Sequence, residues 1–326
     1  MAFLDDRYLL GNDTALALYE EVKSLPVVDA HNHADVAEIA ANKNYSNAWQ
    51  VCAATDHYVW EMMRKRGVPE EFITGKADPK EKWLKLAQVF PELAGNPVYE
   101  WIHLDLRRGL RLADARINPH PAESLWNRTN ETLANDSKRP QGLLKSMNVE
   151  VMCSTDDPVD LLEAHDVANA AVGRRLIRPT WRPDKAVNIF SPAWKSYIQR
   201  LETRFSTTIS SVDELVEVLQ KSHDYFAERG CAASDHGIEY PLSGDASPAD
   251  AERAFRKAIA CESLTRAEIN DYMSYLSVKI AEMDARSGWV FQMHIGAVRD
   301  IRDVLMKNIG PDSGGDVSDH MIDIVK

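Results

Sequence analysis

The sequence predicts an α/β fold, a (β/α)8 barrel with a helical insertion, and three observations carry that expectation. Five short apolar runs each end in polar, chemically capable residues. Helical patterns lie between most of these runs, the arrangement of parallel strands joined by crossover helices. No Gly-x-Gly-x-x-Gly turn or phosphate-cradling Gly-Lys-Ser/Thr loop occurs, and an open doubly wound sheet usually announces a nucleotide with such a turn. Chemistry at the C-terminal ends of strands is the habit of the barrel.

The strands follow in order. Pro26 to Ala30 leads into His31-Asn32-His33, and Val149 to Cys153 leads into Ser154-Thr155-Asp156-Asp157-Pro158. Arg175 to Arg178 leads into Pro179-Thr180-Trp181-Arg182-Pro183-Asp184, and Gly230 to Ala233 into Ser234-Asp235-His236. Trp289 to Met293 leads into His294-Ile295-Gly296. Such runs read as strands buried on both faces. Ser211, three residues before Glu214, opens a helix in a capping-box pattern, and Gly230 is its natural stop. Pro248 to Ala260 and Thr265 to Arg286 also carry helical spacing, with Gly288 closing the second. The expected organisation is an N-terminal helix and first strand over 1–34, a mainly helical insertion over 35–147, and strands two to five with their helices over 148–326.

Composition narrows the partners. The 326 residues are 44% hydrophobic, enough for one large core or two smaller ones. With 38 basic and 50 acidic side chains the formal net charge is −12, which offers no field for nucleic acid or an anionic membrane surface. An anionic substrate would need locally placed Arg or Lys. Cys52, Cys153, Cys231 and Cys261 are scattered without metal-finger spacing and read as buried thiols of a reducing, cytoplasmic compartment. No run approaches the ~20 apolar residues of a spanning helix, and no signal segment opens the chain.

His31 and His33 stand at i and i+2, so on a strand both imidazoles converge on one point and can share a divalent metal. The triplet alone is a weak signal; its place at the end of a strand, behind Asp29, gives it weight. His294 ends another strand in the same manner and is the expected third ligand. His236, behind Asp235, is a similar candidate, and the pair Asp235 and His236 is assigned to substrate binding. Zinc is the first expectation for the ion, with manganese or iron also tolerated by such ligands. His57 beside Tyr58 can supply a proton donor and a hydroxyl to a sugar, against the plainer reading of a solvated helix face. Arg182 is a fixed cation suited to a carboxylate, against a structural ion pair with Asp184. Asp156 and Asp157 are expected to cap the following helix.

Taken in order, DAHNH at 29–33, DHYVW at 56–60, TDDP at 155–158, WRPDK at 181–185, SDH at 234–236 and HIGA at 294–297 resemble the uronate isomerases, a divergent branch of the amidohydrolase superfamily. The similarity runs from Asp6 to about Pro311. It implies a (β/α)8 barrel and interconversion of D-glucuronate with D-fructuronate and of D-galacturonate with D-tagaturonate through a cis-enediol. It also implies a metal at His31, His33 and His294, catalytic roles for His57 and Tyr58, and a substrate carboxylate on Arg182. A hexuronate substrate, a homo-oligomer and a cytoplasmic location are expected. The resemblance further implies three later strands, the last bearing Asp-x-Arg; this sequence shows five strands and no such element, so it is expected to be a portion of a longer polypeptide. The rivals are a metal-dependent hydrolase of the same superfamily and a non-catalytic sugar-acid-binding protein. Arg182 with His57 and Tyr58 argues against the hydrolase, as does the lack of a strand-end Lys able to bridge two metals.

Overall fold

The structure, a computed structural model, describes residues 3–238, 242 and 246–318. The chain divides into two compact units.

The first unit comprises 1–28, 38–150 and 299–316. It is mainly helical, because its apolar residues recur at helical spacing and its helices begin at good stop-and-start residues. Asp56 caps His57–Lys65 by accepting from Tyr58 N and Val59 N, and Asp78 with Pro79 starts Pro79–Val89. These helices bury Met63, Trp83, Leu86 and Phe90 in one core, and the Trp83 indole donates to the Ala122 carbonyl at 2.8 Å. That bond satisfies the one polar atom of a fully buried ring.

The second unit comprises 29–37, 151–298 and 317–326. Along the whole chain, five strands run in sequence order: β1 (Val27–Asp29), β2 (Val149–Cys153), β3 (Ile177–Arg178), β4 (Ala233–Ile238) and β5 (Val290–Ile295), of which β1 and β2 begin in the stretches assigned to the first unit. β1, β2 and β3 form one sheet in that order, and β4 and β5 form a second. Both β2–β3 and β4–β5 are parallel. Parallel bridges from Asp156 to Trp181 and from Trp181 to Ser234 link the end of β2, the stretch after β3, and β4. A third, antiparallel pair joins β6 (Ala297–Val298) to β7 (Val317–Ser318). Val317–Ser318 lies within the tail beyond the five expected strands, and Asp319 and His320 lie outside the described residues.

Two expectations change here. Among the described residues the sheets are small and do not close into a ring. Nor are all five strands buried on both faces: β2 and β4 are largely covered, but Val28 is 68% exposed and Val290 60%. The reason is position, since β1 and β5 stand outermost in the series and each has a neighbour on one side. An apolar run reports the capacity for burial, and neighbours decide whether it is used.

The core of the second unit gathers Trp181, Trp194, Phe226, Phe255 and Tyr272. Trp194 Nε1 and Tyr272 Oη both donate to the Ala186 carbonyl, at 2.8 and 2.9 Å. Helix Val212–Glu228 has Ser211 as its cap, but Glu214 reaches back to Ser210 rather than to Ser211. The full reciprocal box forms instead at Thr265 and Glu268, opening Arg266–Ser287. Gly288 ends that helix at φ +68°, a left-handed conformation that costs glycine little. Asp156 and Asp157 do not cap Glu163–Val172, which begins at Leu162 with no side-chain cap. Asp157 instead accepts from Tyr197 Oη and Lys185 Nζ, each at 2.7 Å, because these groups reach it first. Cys52 and Cys231 are buried, and burial pushes both thiols up to about 12; Cys261, against expectation, is exposed. No helix among the described residues is long and apolar enough to cross a membrane.

Candidate metal and carboxylate site

The site of the second unit is built on the ends of β1, β4 and β5. His31 and His33 lie just past β1, not on it, so strand alternation does not aim them. Their loop is instead tied down from three sides. Asp29 accepts from His31 N at 3.3 Å and from Asn32 Nδ2 at 2.9 Å, Thr155 Oγ1 donates to the Asn32 carbonyl at 3.0 Å, and Gln292 Nε2 donates to the Ala30 carbonyl at 2.9 Å. Held in this way, the two imidazoles stand nearly perpendicular, with their Nε2 atoms 3.1 Å apart. Two nitrogens on one tetrahedral zinc would be about 3.3 Å apart, given Zn–N bonds of about 2.0 Å.

On β4 and β5 alternation does the aiming. Asp235 pairs with Gln292 and Gly237 with His294 in the ladder, so these four share one face. Asp235 is fully buried. Its Oδ1 lies 2.6 Å from His294 Nδ1 and its Oδ2 lies 3.1 Å from Arg182 Nη1, yet neither oxygen is in hydrogen-bond geometry. His31 stands beside them, its ring 4.6 Å from that of His294. His31, Asp235 and His294 each offer a ligand atom, and these atoms lie within 4.8 Å of one another. A buried carboxylate whose oxygens make no hydrogen bond, flanked by imidazoles, fits a divalent cation, which would supply the missing partner. Burial, the largest cause, lowers the pKa of both His31 and His33 and so favours the neutral imidazole that a cation needs. His33 is outside the triad of ligand atoms but touches it through His31.

Alternation also separates two residues that the sequence placed together. His236 points to the opposite face of β4 from Asp235, the face it shares with Ser234. There its Nε2 meets Ser234 Oγ at 2.7 Å and its ring stacks on Phe291 at 4.0 Å. Ser234 Oγ donates to the buried Asp284 at 2.5 Å, and His223 Nε2 lies 3.2 Å from the same carboxylate. Burial holds His236 down at about 4, so it is neutral in this chain of hydrogen bonds. His236 and Asp235 therefore face different neighbours: Ser234 and Phe291 for His236, His294 and Arg182 for Asp235.

Arg182 is brought to the cluster because its neighbour Trp181 is anchored on the other side, donating through Nε1 to Ser222 Oγ at 3.0 Å. Both readings of Arg182 have a physical basis here. It donates through Nε to Asp184 Oδ2 at 2.8 Å, and its Nη1 faces Asp235. His57 and Tyr58 lie in the first unit, at the start of His57–Lys65, with rings 4.2 Å apart. The ion pair of Arg182 with Asp184, weighed from the sequence, is present, whereas Gly237 beside it was missed. The only signal for Gly237 was a glycine two residues after Asp235.

Parallel strand ends that gather imidazoles, a buried carboxylate and a guanidinium define an α/β protein with a candidate polar site. Comparison with known proteins makes this specific. The family model described as glucuronate isomerase matches residues 1–325. A uronate isomerase of Thermotoga maritima is 46% identical over 324 residues, covering 99% of this chain and 71% of the relative. One from Shouchella clausii is 39% identical over 317 residues, covering 97% and 67%. The crystal structure of the Thermotoga maritima enzyme superposes with a TM-score of 0.95 over 99% of this chain and 71% of that one. Glucuronate isomerase from Caulobacter crescentus, 23% identical, shares the fold with a TM-score of 0.89 over 95% of this chain and 65% of its own. The chain belongs to the glucuronate isomerase family.

Proposed function

We propose that the protein is an aldose–ketose isomerase that interconverts D-glucuronate with D-fructuronate and D-galacturonate with D-tagaturonate. The observation that carries this reading is the fully buried Asp235 set between the cation-binding imidazoles and Arg182, in a chain matched to one isomerase family along its length. Arg182 receives the substrate carboxylate through its guanidinium, which places the sugar's charged end. His31, His294 and Asp235, with His33 adjoining, hold a divalent cation, zinc by the chemistry of the donors. When bound, the cation supplies Lewis-acid stabilisation for negative charge that builds on a sugar oxygen.

The reaction itself is a proton shift. A base removes the proton on C2, a cis-enediol forms, and a proton is delivered to C1 while the two oxygens exchange one. We assign His57 and Tyr58 to this proton traffic on the strength of the DHYVW segment. The parallel series β1 to β5, wound in sequence order, supports the reading of these strands as part of a (β/α)8 winding. Free, scattered cysteines support a cytoplasmic setting.

Incubation with D-glucuronate in heavy water tests the reading. The expected result is formation of D-fructuronate with deuterium at C1, seen by proton NMR. Ketose formed without deuterium would point to a hydride shift, and no ketose at all would overturn the assignment.

A further inference from the structure

Asp184 has no part in the scheme above, yet its surroundings are built. It opens the short helix Asp184–Val187 directly after Pro183, a backbone position that proline stiffens. Its side chain is well buried, and one oxygen, Oδ2, accepts twice: from Arg182 Nε at 2.8 Å and from Gly237 N at 2.9 Å. Burial works to raise its pKa, while the guanidinium and the Gly237 amide oppose that rise. Gly237 also leaves the space in which the guanidinium tip lies. A Cβ there would run into Arg182 Nη2 and stand 3.2 Å from Asp184 Oδ2. The φ of Gly237 is not in the left-handed region, so its backbone does not call for glycine; a Cβ would instead oblige the tip of the Arg182 side chain to shift.

We propose that Asp184 is a positioning residue for Arg182 and that Gly237 is the gap in which the guanidinium lies, so that together they set how this protein grips the carboxylate of its substrate. The inference rests on the reading of Arg182 as the carboxylate receiver. Asp184 holds Nε, which closes the Nε side of the guanidinium to a substrate carboxylate. Asp235 lies by Nη1 and Asp184 by Nε, so the guanidinium plane is fixed from two directions before substrate arrives. A long, flexible arginine would otherwise lose rotamer entropy on binding. The selectivity for a sugar acid over a neutral sugar is then set by two residues that do not themselves bind the carboxylate.

The test is a double-mutant cycle read as the Kd for D-glucuronate by calorimetry, with near-ultraviolet circular dichroism as the check of folding. Asp184→Asn should weaken binding roughly tenfold, a size typical of groups that orient a binding residue. Gly237→Ala should do the same by displacing Nη2. In an Arg182→Gln background neither change should weaken binding by more than about twofold, because the group they position is gone. Wild-type affinity in both Asp184→Asn and Gly237→Ala, with Arg182→Gln weakened, would overturn the positioning role and leave the carboxylate assignment standing. Equal losses in both backgrounds would also overturn it, as the mark of a general structural effect. Wild-type affinity in Arg182→Gln would overturn the carboxylate assignment, and the positioning role with it. If Asp184→Asn fails the folding check, Gly237→Ala carries the same comparison.

Discussion

Asp235 concentrates the chemistry of the second unit in one side chain. A carboxylate with no exposed surface is costly unless paired, and here its neighbours are His294 and Arg182 at ion-pair distance without hydrogen-bond geometry. On the proposed cation reading, removing its charge should weaken binding of added zinc by about a hundredfold or more, as read by competition with a chelating dye. An Asp235→Asn protein with unchanged zinc affinity would show that the imidazoles do not share an ion with it. The same measurement has a pH signature. Because burial lowers the pKa of His31 and His33, proton competition should begin below the usual histidine range. Zinc affinity should thus hold on the way down through pH 6.5 and fall only in more acidic solution.

Helix Arg266–Ser287 is secured to β4 by a polar contact inside an otherwise apolar packing surface. Asp284 is buried, and its two oxygens meet His223 Nε2 and Ser234 Oγ. Truncation to Ala would leave both partners unsatisfied in the interior. Asp284→Ala should cost about 3 kcal/mol of unfolding free energy, measured by denaturant titration. A loss below 1 kcal/mol would mean that water replaces the carboxylate. The end of the same helix offers a purer test of backbone strain. Gly288 has φ +68° and open space where a Cβ would go, so Gly288→Ala should cost about 1 kcal/mol through conformation alone. A neutral result would show that the helix end relaxes.

At the scale of the molecule, each unit holds a buried imidazole that burial brings down to about 4. In the first it is His103, lowered to about 4, whose Nε2 accepts from Ile117 N at 2.9 Å; in the second it is His236, also lowered to about 4. A lowered folded-state pKa means that the unfolded chain takes up the proton first. Stability should be fully present above pH 6.5 and should decline as the pH falls from 6.5 towards 4, by up to roughly 3 kcal/mol per group. Denaturant midpoints measured across that window test this, and His103→Gln should flatten the decline of the first unit. A midpoint that does not move between pH 7 and 4.5 would contradict it.

The sequence by itself determined what depends on local pattern. The apolar runs before His31, Ser154, Pro179 and His294 each overlap a strand, while the fourth strand, Ala233–Ile238, starts only at the end of the run expected to form it. Thr265 with Gly288 marked the ends of a helix, and the ordered motifs marked the family. Only the tertiary structure decided which face each side chain takes and which neighbours share it. Asp235 and His236 are adjacent in the chain but fall on opposite sides of β4, one facing His294 and Arg182 and the other Ser234 and Phe291. Asp184 and Gly237 become one site only because β4 runs beside the turn after β3. Pairing in the chain is a matter of covalent order, whereas a binding site is a matter of register and alternation between strands that the chain joins through tens of residues. That is why ligand candidates and the Arg182–Asp184 pair could be read early, while the place of Gly237 beside that pair had to wait for the fold.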